Sequence, residues 1–313
     1  MARPSVLILS QDAEEYLPLL HDLSRQGTAI AIAPSPEEAR AAWSGQTVVL
    51  GQPDMVAAAL GSMPGLRWVQ STWAGVEPLL QQGRRDFELT GVKGVFGPMM
   101  AEYVFAHLLA RETRMLQRRE HQQRSEWWTE DSGSLKGKAL GIMGTGSIGC
   151  CIARVGRVFG MRVLGFSLSG RAVDGFERVF GSERLHEFLA EPDYLVAVLP
   201  ATPATDGLLD AAAFRAMRLQ CYVVNVGRGS LIDETALLEA LNAGELGGAA
   251  LDVFRREPLP AASPLWTAPG VTVTAHVAAH SWPADIARIF ADNYNRYVTG
   301  ATLRYRVDFE RGY

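Results

Sequence analysis

The stretch Leu140-Gly-Ile-Met-Gly-Thr-Gly-Ser-Ile-Gly149 decides the fold class of this chain. A hydrophobic run ends at Met143, and the pattern Gly-x-Gly-x-x-Gly follows it. This pattern is weak evidence alone, but it gains value where it joins a predicted strand to a predicted helix. Gly144 permits a tight turn, Gly146 lets the backbone approach a pyrophosphate, and Gly149 allows the helix to pack closely on the strand. The stretch therefore predicts a dinucleotide site at a helix N-terminus.

Short apolar segments alternate with helix-like segments along most of the remaining chain. This alternation is typical of an α/β fold in which parallel sheets are covered on both faces. The predicted strands are Val6–Ser10, Ala29–Ala33, Thr47–Leu50, Leu66–Ser71, Ala139–Met143, Arg162–Phe166, Tyr194–Leu199, Tyr222–Asn225, Ala249–Val253 and Val271–Thr274. Helical spacing of apolar residues predicts helices that include Ala13–Arg25, Met99–Arg119 and Trp282–Val298.

Length and composition indicate a globular enzyme of about two domains, since domains average roughly 150 residues. The chain has 313 residues, is 48% hydrophobic and carries a formal net charge of −4. We expect neither a nucleic-acid partner nor membrane association, because basic clusters and apolar runs of about 18 residues are both missing. The three cysteines lack zinc-site spacing, so no metal site is expected. We expect a cytoplasmic protein, since the first residues resemble a strand rather than a secretory signal.

The segment Gly165-Phe-Ser-Leu-Ser-Gly-Arg171 bears on the choice of cofactor. Sites that prefer NAD usually place an acidic residue at the end of the second strand to bind the ribose 2′-hydroxyl. Here no acidic residue occurs before Asp174. Ser167 and Ser169 can donate hydrogen bonds, and Arg171 can pair with a 2′-phosphate. We therefore favour NADPH and keep NADH possible, the alternative being that Arg171 is an ordinary solvated loop residue.

Three polar residues downstream match the requirements for reducing a 2-oxo acid. Arg228 follows an apolar strand, and its guanidinium can contact carboxylate and carbonyl oxygens together. His276 also follows a strand and can protonate the developing alkoxide, because imidazole titrates near neutral pH. Glu257 can orient that imidazole and stabilise its charged form. Each residue alone is more often structural or on the surface, but their joint occurrence beside a dinucleotide loop favours hydride transfer.

At these residues the chain resembles the D-isomer-specific 2-hydroxyacid dehydrogenase family. The matching pieces are Gly141–Gly149, Leu199–Thr205, Val224–Ser230, Ala250–Pro260 and Ser263–Trp266. The resemblance implies two doubly wound parallel-sheet domains, Rossmann-like and flavodoxin-like, with a cleft between them. It places residues 98–276 in the dinucleotide-binding domain, and residues 1–97 plus 277–313 in a discontinuous substrate-binding domain.

The resemblance also carries roles over to particular positions. It implies that Arg228 binds substrate, that Glu257 orients His276, and that the backbone of Ala74 and Gly75 holds the substrate carboxylate. The cofactor contacts that we expect are Gly144, Thr145, Gly146, Ser147, Ile148, Gly149, Ser167, Ser169, Arg171, Leu199, Pro200, Thr205, Val226, Gly227, Arg228, Asp252, His276 and Ala278. The family resemblance further implies a homodimer joined through the nucleotide-binding domains.

Within the family the chain looks most like the glyoxylate/hydroxypyruvate reductase A group, which prefers NADPH. Three positions depart from the family pattern. Ala275 replaces a proline, Glu77 replaces an aspartate, and the segment Leu50-Gly-Gln-Pro53 lacks a tryptophan. Ala275 predicts a looser backbone before His276. The other two departures leave the substrate open but not the reaction class. The alternatives are an NADH-linked dehydrogenase for D-lactate or phosphoglycerate, and a nucleotide-sensing binding protein of the same fold.

Overall fold

The computed structural model describes residues 3–312, and they form two compact units. The first unit contains the residues up to Val95 and those from Ser281 onward, and the second is Phe96–His280. Each unit has its own sheet, and every pair of neighbouring strands in both sheets is parallel. The predicted α/β class with two parallel sheets is therefore confirmed.

The first unit contains a five-stranded sheet in the order β2-β1-β3-β4-β5, the flavodoxin-like order. Its elements are β1 Val6–Leu9, α1 Ala13–Leu19, α2 His21–Arg25, β2 Ile30–Ala33, α3 Pro36–Ala42, β3 Val48–Gly51, α4 Pro53–Ala59, β4 Trp68–Ser71, α5 Glu77–Leu80 and β5 Glu88–Thr90, and the chain returns to this unit with a last helix, Pro283–Thr299. Strands β1, β3 and β4 are buried throughout, which explains their continuous apolar character.

The returning helix is fastened to the first unit by aromatic stacking and by a buried amide. Trp68 of β4 stacks on Phe290 with ring centroids 5.4 Å apart. The side chain of Asn293, fully buried, donates hydrogen bonds to Gln70 Oε1 at 3.0 Å and to the carbonyl oxygen of Arg304 at 3.1 Å. Because buried polar groups are costly when unpaired, these hydrogen bonds add to the apolar contacts in stabilising the position of the helix.

The second unit contains a seven-stranded sheet in the order β12-β11-β10-β9-β6-β7-β8. Its elements are α6 Gly97–Glu112, α7 Met115–Gln123, β6 Ala139–Met143, α8 Ser147–Val158, β7 Arg162–Phe166, β8 Arg178–Phe180, α9 Leu185–Leu189, β9 Tyr194–Ala197, α10 Ala211–Ala216, β10 Cys221–Asn225, α11 Glu234–Asn242, β11 Leu246–Leu251 and β12 Val271–Val273. The last helix of the chain, Pro283–Thr299, belongs to the first unit and is numbered α12. Relative to β6 this is the dinucleotide-binding strand order with one further strand at the edge. Ligands in such sheets bind at the carboxyl ends of the strands, where the order reverses beside β6.

Two of the predicted helices are wrong in extent. The predicted helix Ala13–Arg25 is broken at Leu20, between α1 and α2. The predicted helix Met99–Arg119 is divided, because α6 ends at Glu112 and Arg114, which precedes α7, adopts a left-handed conformation with φ of +53°. Apolar periodicity does not register a single left-handed residue, so it joined two helices into one.

The strand predictions overshoot at the functional end of the second sheet. Strand β11 ends at Leu251 and β12 ends at Val273, so Asp252 and Thr274 lie in loops instead of strands. Their side chains form a hydrogen bond with each other. The three-residue strands β5 and β8 were not predicted. Within residues 3–312, no helix has the length and apolar character needed to cross a bilayer.

Candidate active site

The loop Gly144–Gly149 joins β6 to the N-terminus of α8. Gly144 has φ of +111°, which L side chains rarely adopt, and a Cβ at Gly149 would lie 1.9 Å from the carbonyl oxygen of Gly144. A Cβ at Gly146 would meet no atom within 4 Å, so this side of the loop is open. Within residues 3–312, no side chain caps α8, and its first turn contains no acidic residue. The loop therefore fits a pyrophosphate bound to backbone N–H groups.

The segment predicted to select the cofactor follows β7, which neighbours β6 in the sheet. Ser169 accepts a hydrogen bond from the N–H of Arg171 at 3.4 Å, so its hydroxyl closes the local turn. The Arg171 side chain is exposed and forms no ion pair with the residues that the structure describes. Ser167 is half-buried at the end of the strand. A guanidinium in this position is available to a phosphate group on the neighbouring loop.

A tight turn after β10 presents Arg228. The fully buried amide of Asn225 donates to the carbonyl oxygen of Arg228 at 3.0 Å and accepts from the N–H of Gly227 at 3.1 Å. The guanidinium donates to the carbonyl oxygen of Gly227 at 2.8 Å. At Gly229 a Cβ would lie 1.9 Å from the carbonyl carbon of Phe254, so only glycine fits. The turn thus fixes the backbone that carries Arg228.

Arg255 ties the loop that carries Glu257 to the segment that follows Arg228. Its Nε donates to the carbonyl oxygen of Ile232 at 2.9 Å, and its Nη2 donates to the carbonyl oxygen of Ser230 at 2.9 Å. These two bonds hold the two loops side by side. The arrangement brings the three residues of the predicted catalytic set into one part of the second unit.

His276 and Glu257 form a hydrogen-bonded pair. The distance from His276 Nδ1 to Glu257 Oε2 is 2.9 Å, and the N–H of Phe254 donates to Glu257 Oε1 at 2.9 Å. With the carboxylate on Nδ1, the other ring nitrogen, Nε2, is left for a substrate. The imidazole remains 54% exposed, so it is accessible from solvent.

The pKa shifts of the pair have the same physical origin. The hydrogen bond to Glu257 raises the pKa of His276 above its ordinary value of 6.5, although partial burial and the charge of Arg228 oppose the rise. Partial burial raises the pKa of Glu257, but the hydrogen bonds from His276 and from the Phe254 N–H outweigh it, so the pKa lies below 4.5. Both shifts favour the charged pair, and an imidazolium near neutral pH is a competent proton donor.

Asp252 holds the backbone on which His276 stands. Its buried carboxylate accepts hydrogen bonds from the Thr274 hydroxyl at 2.5 Å and from the N–H groups of Val277 and Ala278, both at 2.9 Å. The N–H of His276 donates to the Asp252 carbonyl oxygen at 2.8 Å. His276 itself has φ of +55°, a conformation that is unfavourable for a residue other than glycine. The carboxylate therefore keeps a strained turn in place.

The other predicted cofactor residues lie at the carboxyl ends of β9 and β10. Leu199 and Pro200 follow β9, and the Thr205 hydroxyl donates to the carbonyl oxygen of Pro200 at 2.7 Å, which closes this loop. Val226 is buried directly after β10. These positions border the loop after β6, which is the edge where a dinucleotide binds in this type of sheet.

Ala74 and Gly75 belong to the first unit and follow β4. The hydroxyl of Ser71 accepts from the N–H of Trp73 at 3.0 Å and donates to its carbonyl oxygen at 2.8 Å, which shapes the turn before Ala74. Ala74 is exposed, and Gly75 is half-buried. The hydroxyl of Thr72 is buried, and among residues 3–312 it has no hydrogen-bond partner. The turn thus leaves the backbone at Ala74 accessible at the end of its sheet.

Two residues shape the site although no role was predicted for them, namely Asn225 and Thr274. Asn225 stands in the Asn-Val-Gly-Arg-Gly segment that contains Arg228, so its position was available as a signal. Thr274 falls at the end of a predicted strand and carries no such signal. Over the part of the chain that the structure describes, no group of three or more His, Cys, Asp or Glu residues could hold a metal ion.

A family model supports what the geometry indicates. Residues 105–278 match the model described as "D-isomer specific 2-hydroxyacid dehydrogenase, NAD binding domain". The chain belongs to this family. The resemblance that the motifs predicted is therefore confirmed.

Relatives and solved structures of the dehydrogenase family agree over most of the chain. The glyoxylate/hydroxypyruvate reductase A of Yersinia enterocolitica is 33% identical over 266 residues, which is 81% of this chain and 84% of that protein. A family member from Aeromonas salmonicida has 42% identity, a TM-score of 0.94, and coverage of 98% and 99% of the two chains. The NADPH-dependent glyoxylate/hydroxypyruvate reductase from Sinorhizobium meliloti, in complex with NADP and sulfate, has 30% identity, a TM-score of 0.88, and coverage of 99% and 100%.

The substitution Glu257→Gln tests the origin of the raised pKa of His276. The amide keeps the size of the side chain but removes the charge, so the imidazolium loses stabilisation and the pKa of His276 falls. Histidine resonances followed by NMR during a pH titration measure this change. Glu239→Gln, at an exposed position of the same unit, is the matched control and should leave the His276 titration in place. A His276 midpoint that does not move in the Glu257 variant would contradict the assigned pair.

Proposed function

We propose that the protein reduces small 2-oxo acids of the glyoxylate and hydroxypyruvate type to D-2-hydroxy acids, with NADPH as the preferred cofactor. The observation that carries the proposal is the 2.9 Å pair of His276 and Glu257 in the unit that also presents Arg228 and the Gly144–Gly149 loop. The reductase names of the relatives and the NADP complex of the Sinorhizobium meliloti reductase support it.

The residues of the second unit fit the cofactor in two places. The N–H groups at Gly146 and at the start of α8 would bind the pyrophosphate, and Arg171 would pair with the 2′-phosphate. NADPH, when bound, supplies the hydride for the carbonyl carbon. Further contacts are proposed at Thr145, Ser147, Ile148, Ser167, Ser169, Leu199, Pro200, Thr205, Val226, Gly227, Asp252 and Ala278. NADH remains a possible second cofactor.

The substrate carboxylate needs cationic or N–H donors. The guanidinium of Arg228 can bind it and polarise the neighbouring carbonyl group, because its planar fork presents several donors at once. The N–H groups of Ala74 and Gly75 are proposed as further donors to the carboxylate.

Protonated His276 donates its proton to the carbonyl oxygen as the alkoxide develops. Glu257 accepts the hydrogen bond from Nδ1, which holds Nε2 as the donor and stabilises the imidazolium before the proton leaves. Because reduction needs the protonated imidazole, kcat/KM falls as pH rises through the pKa of His276. The raised pKa extends the active range toward neutral pH.

We also propose a homodimer, joined through the second unit. Helix α7 has no buried residue, and nearby Trp127 is 94% exposed. A groove of about 500 Å³ between α6 and α8 has apolar walls that include Phe105 and Leu109. Glu102 and Arg154 also line it. In a two-fold contact, the Glu102 of each protomer can pair with the Arg154 of the other. A second copy of the chain therefore suits this surface.

We also propose roles for the two domains, a location for the protein and the absence of a nucleic-acid partner. Residues 98–276 act as the dinucleotide-binding domain, and residues 1–97 plus 277–313 act as the substrate-binding domain. A cytoplasmic location is also proposed. No nucleic-acid partner is proposed, because the net charge is −4.

His276→Ala tests the reaction and its proton donor together. With glyoxylate or hydroxypyruvate and NADPH, loss of the general acid should lower kcat by about 10²–10⁴-fold. Loss of absorbance at the nicotinamide band measures the rate. His186→Ala, an exposed histidine of the same unit, should keep wild-type turnover. An unchanged kcat in the His276 variant would rule out this donor. If the wild-type protein oxidises NADPH with no small 2-oxo acid, the result would favour a nucleotide-sensing protein.

Arg171→Ala tests the preference for NADPH. Loss of a charge-assisted contact to the 2′-phosphate should raise the KM for NADPH by about 10- to 100-fold and leave the KM for NADH nearly unchanged. Steady-state kinetics with both cofactors gives the ratio. Arg215→Ala removes an exposed guanidinium elsewhere in the unit and should change neither constant. Equal effects of Arg171→Ala on both cofactors would argue that Arg171 is only a solvated loop residue.

Ala106→Arg tests the proposed dimer. Ala106 is an exposed residue that lines the groove between α6 and α8, so an arginine there places an unpaired charge in the contact. Sedimentation velocity should show a wild-type dimer and a monomeric variant. Ala190→Arg, at an exposed position remote from the groove in sequence, should remain dimeric. A wild-type monomer, or an Ala106 variant that stays dimeric, would contradict this arrangement.

A further inference from the structure

Tyr103 lies on α6, far along the chain from the catalytic loops, yet its hydroxyl reaches them. The side chain is half-buried, and its hydroxyl oxygen lies 2.7 Å from the Thr274 Oγ1. Thr274 is two residues before His276 and lies in the loop after β12. The contact joins positions 171 residues apart in the sequence.

The direction of the hydrogen bonds follows from the number of protons. The Thr274 hydroxyl carries one proton, and its 2.5 Å bond to Asp252 Oδ1 uses that proton, because a carboxylate only accepts. The Tyr103 hydroxyl must therefore donate to Thr274. Burial raises the pKa of Tyr103 to about 12, so its hydroxyl keeps the proton throughout the range in which the enzyme would be assayed.

The chain of bonds ends on the backbone around His276. Asp252 accepts from the N–H groups of Val277 and Ala278, the two residues that directly follow the left-handed His276. Each link fixes the next one, since a donor to Thr274 orients the hydroxyl that in turn orients the carboxylate. Tyr103 is thus the end of the chain that is anchored in a long helix.

We propose that Tyr103 is a positioning residue for His276, acting through Thr274 and Asp252. The proposal rests on the role of His276 as proton donor that is proposed above. Tyr103 touches neither substrate nor cofactor in this account. It sets the geometry of the His276 turn, and through it the hydrogen bond between the imidazole and Glu257.

Several charged and titratable groups surround His276 and Tyr103, so a change in the pH profile could come from charge or from geometry. His276 faces Glu257, Arg228 and Asp252. Asp252 also acts on His107, whose ring centroid lies 4.5 Å from that of Tyr103. Removing the Tyr103 hydroxyl changes no charge among these groups. A shift in the pH profile would therefore report on geometry.

Tyr103→Phe removes the first link and keeps the ring. The kcat for reduction should fall by about 3- to 10-fold, the effect of one lost hydrogen bond, while the KM for the 2-oxo acid changes little. The alkaline limb of kcat/KM should move to lower pH, because a loosened His276 turn weakens the bond to Glu257. Thr274→Val should have a larger effect on kcat and on the alkaline limb. Thr274→Ser, which keeps the hydroxyl, should retain the wild-type pH profile.

Tyr222→Phe is the matched control. Tyr222 is a buried tyrosine of the same unit, and its side chain bonds to Thr272 instead of Thr274. Thermal denaturation of both variants shows whether each is folded. If Tyr103→Phe leaves kcat and the alkaline limb at the values of Tyr222→Phe, the positioning role is wrong. If His276→Ala keeps its turnover, the proposed function fails instead.

Discussion

Three donors converge on the buried carboxylate of Asp252, and the geometry of the candidate active site depends on them. A carboxylate that is 1% exposed would be costly to bury without partners. The Thr274 hydroxyl and two backbone N–H groups supply those partners. Loss of the carboxylate would leave each donor unsatisfied, at about 1–3 kcal/mol per group. The same bonds hold His276 in a left-handed turn, so the stability of the loop and the placement of the imidazole are one property.

Sheet topology explains why these residues meet. Parallel strands bring their carboxyl ends to one edge, and β6, β10, β11 and β12 all belong to the second sheet. The glycine loop follows β6, the Arg228 turn follows β10, Asp252 follows β11, and His276 follows β12. Residues far apart in sequence are therefore neighbours at that edge. Short loops held by Asn225, Arg255 and Asp252 then give each side chain a defined place.

The sequence predicted what local patterns encode. The glycine spacing at Gly144–Gly149, between a strand-like and a helix-like segment, indicated the dinucleotide loop, and strand-like runs before Arg228 and His276 indicated the sheet edge. The predictions were wrong where apolar periodicity carries no signal. The helix break at Arg114 depends on one left-handed residue, and the ends of β11 and β12 at Leu251 and Val273 have no counterpart in the apolar pattern. The contact of Tyr103 with Thr274 left no pattern in the sequence at all.

A crystal structure of the protein with NADP and oxamate, an unreactive analogue of a 2-oxo acid, would test directly whether His276 is the proton donor. We expect His276 Nε2 to lie within about 3 Å of the oxamate carbonyl oxygen, the distance of a proton donor. We also expect Nδ1 to remain bonded to Glu257 and Arg228 to contact the oxamate carboxylate. An imidazole turned away from the analogue, or a carboxylate bound without Arg228, would contradict the account.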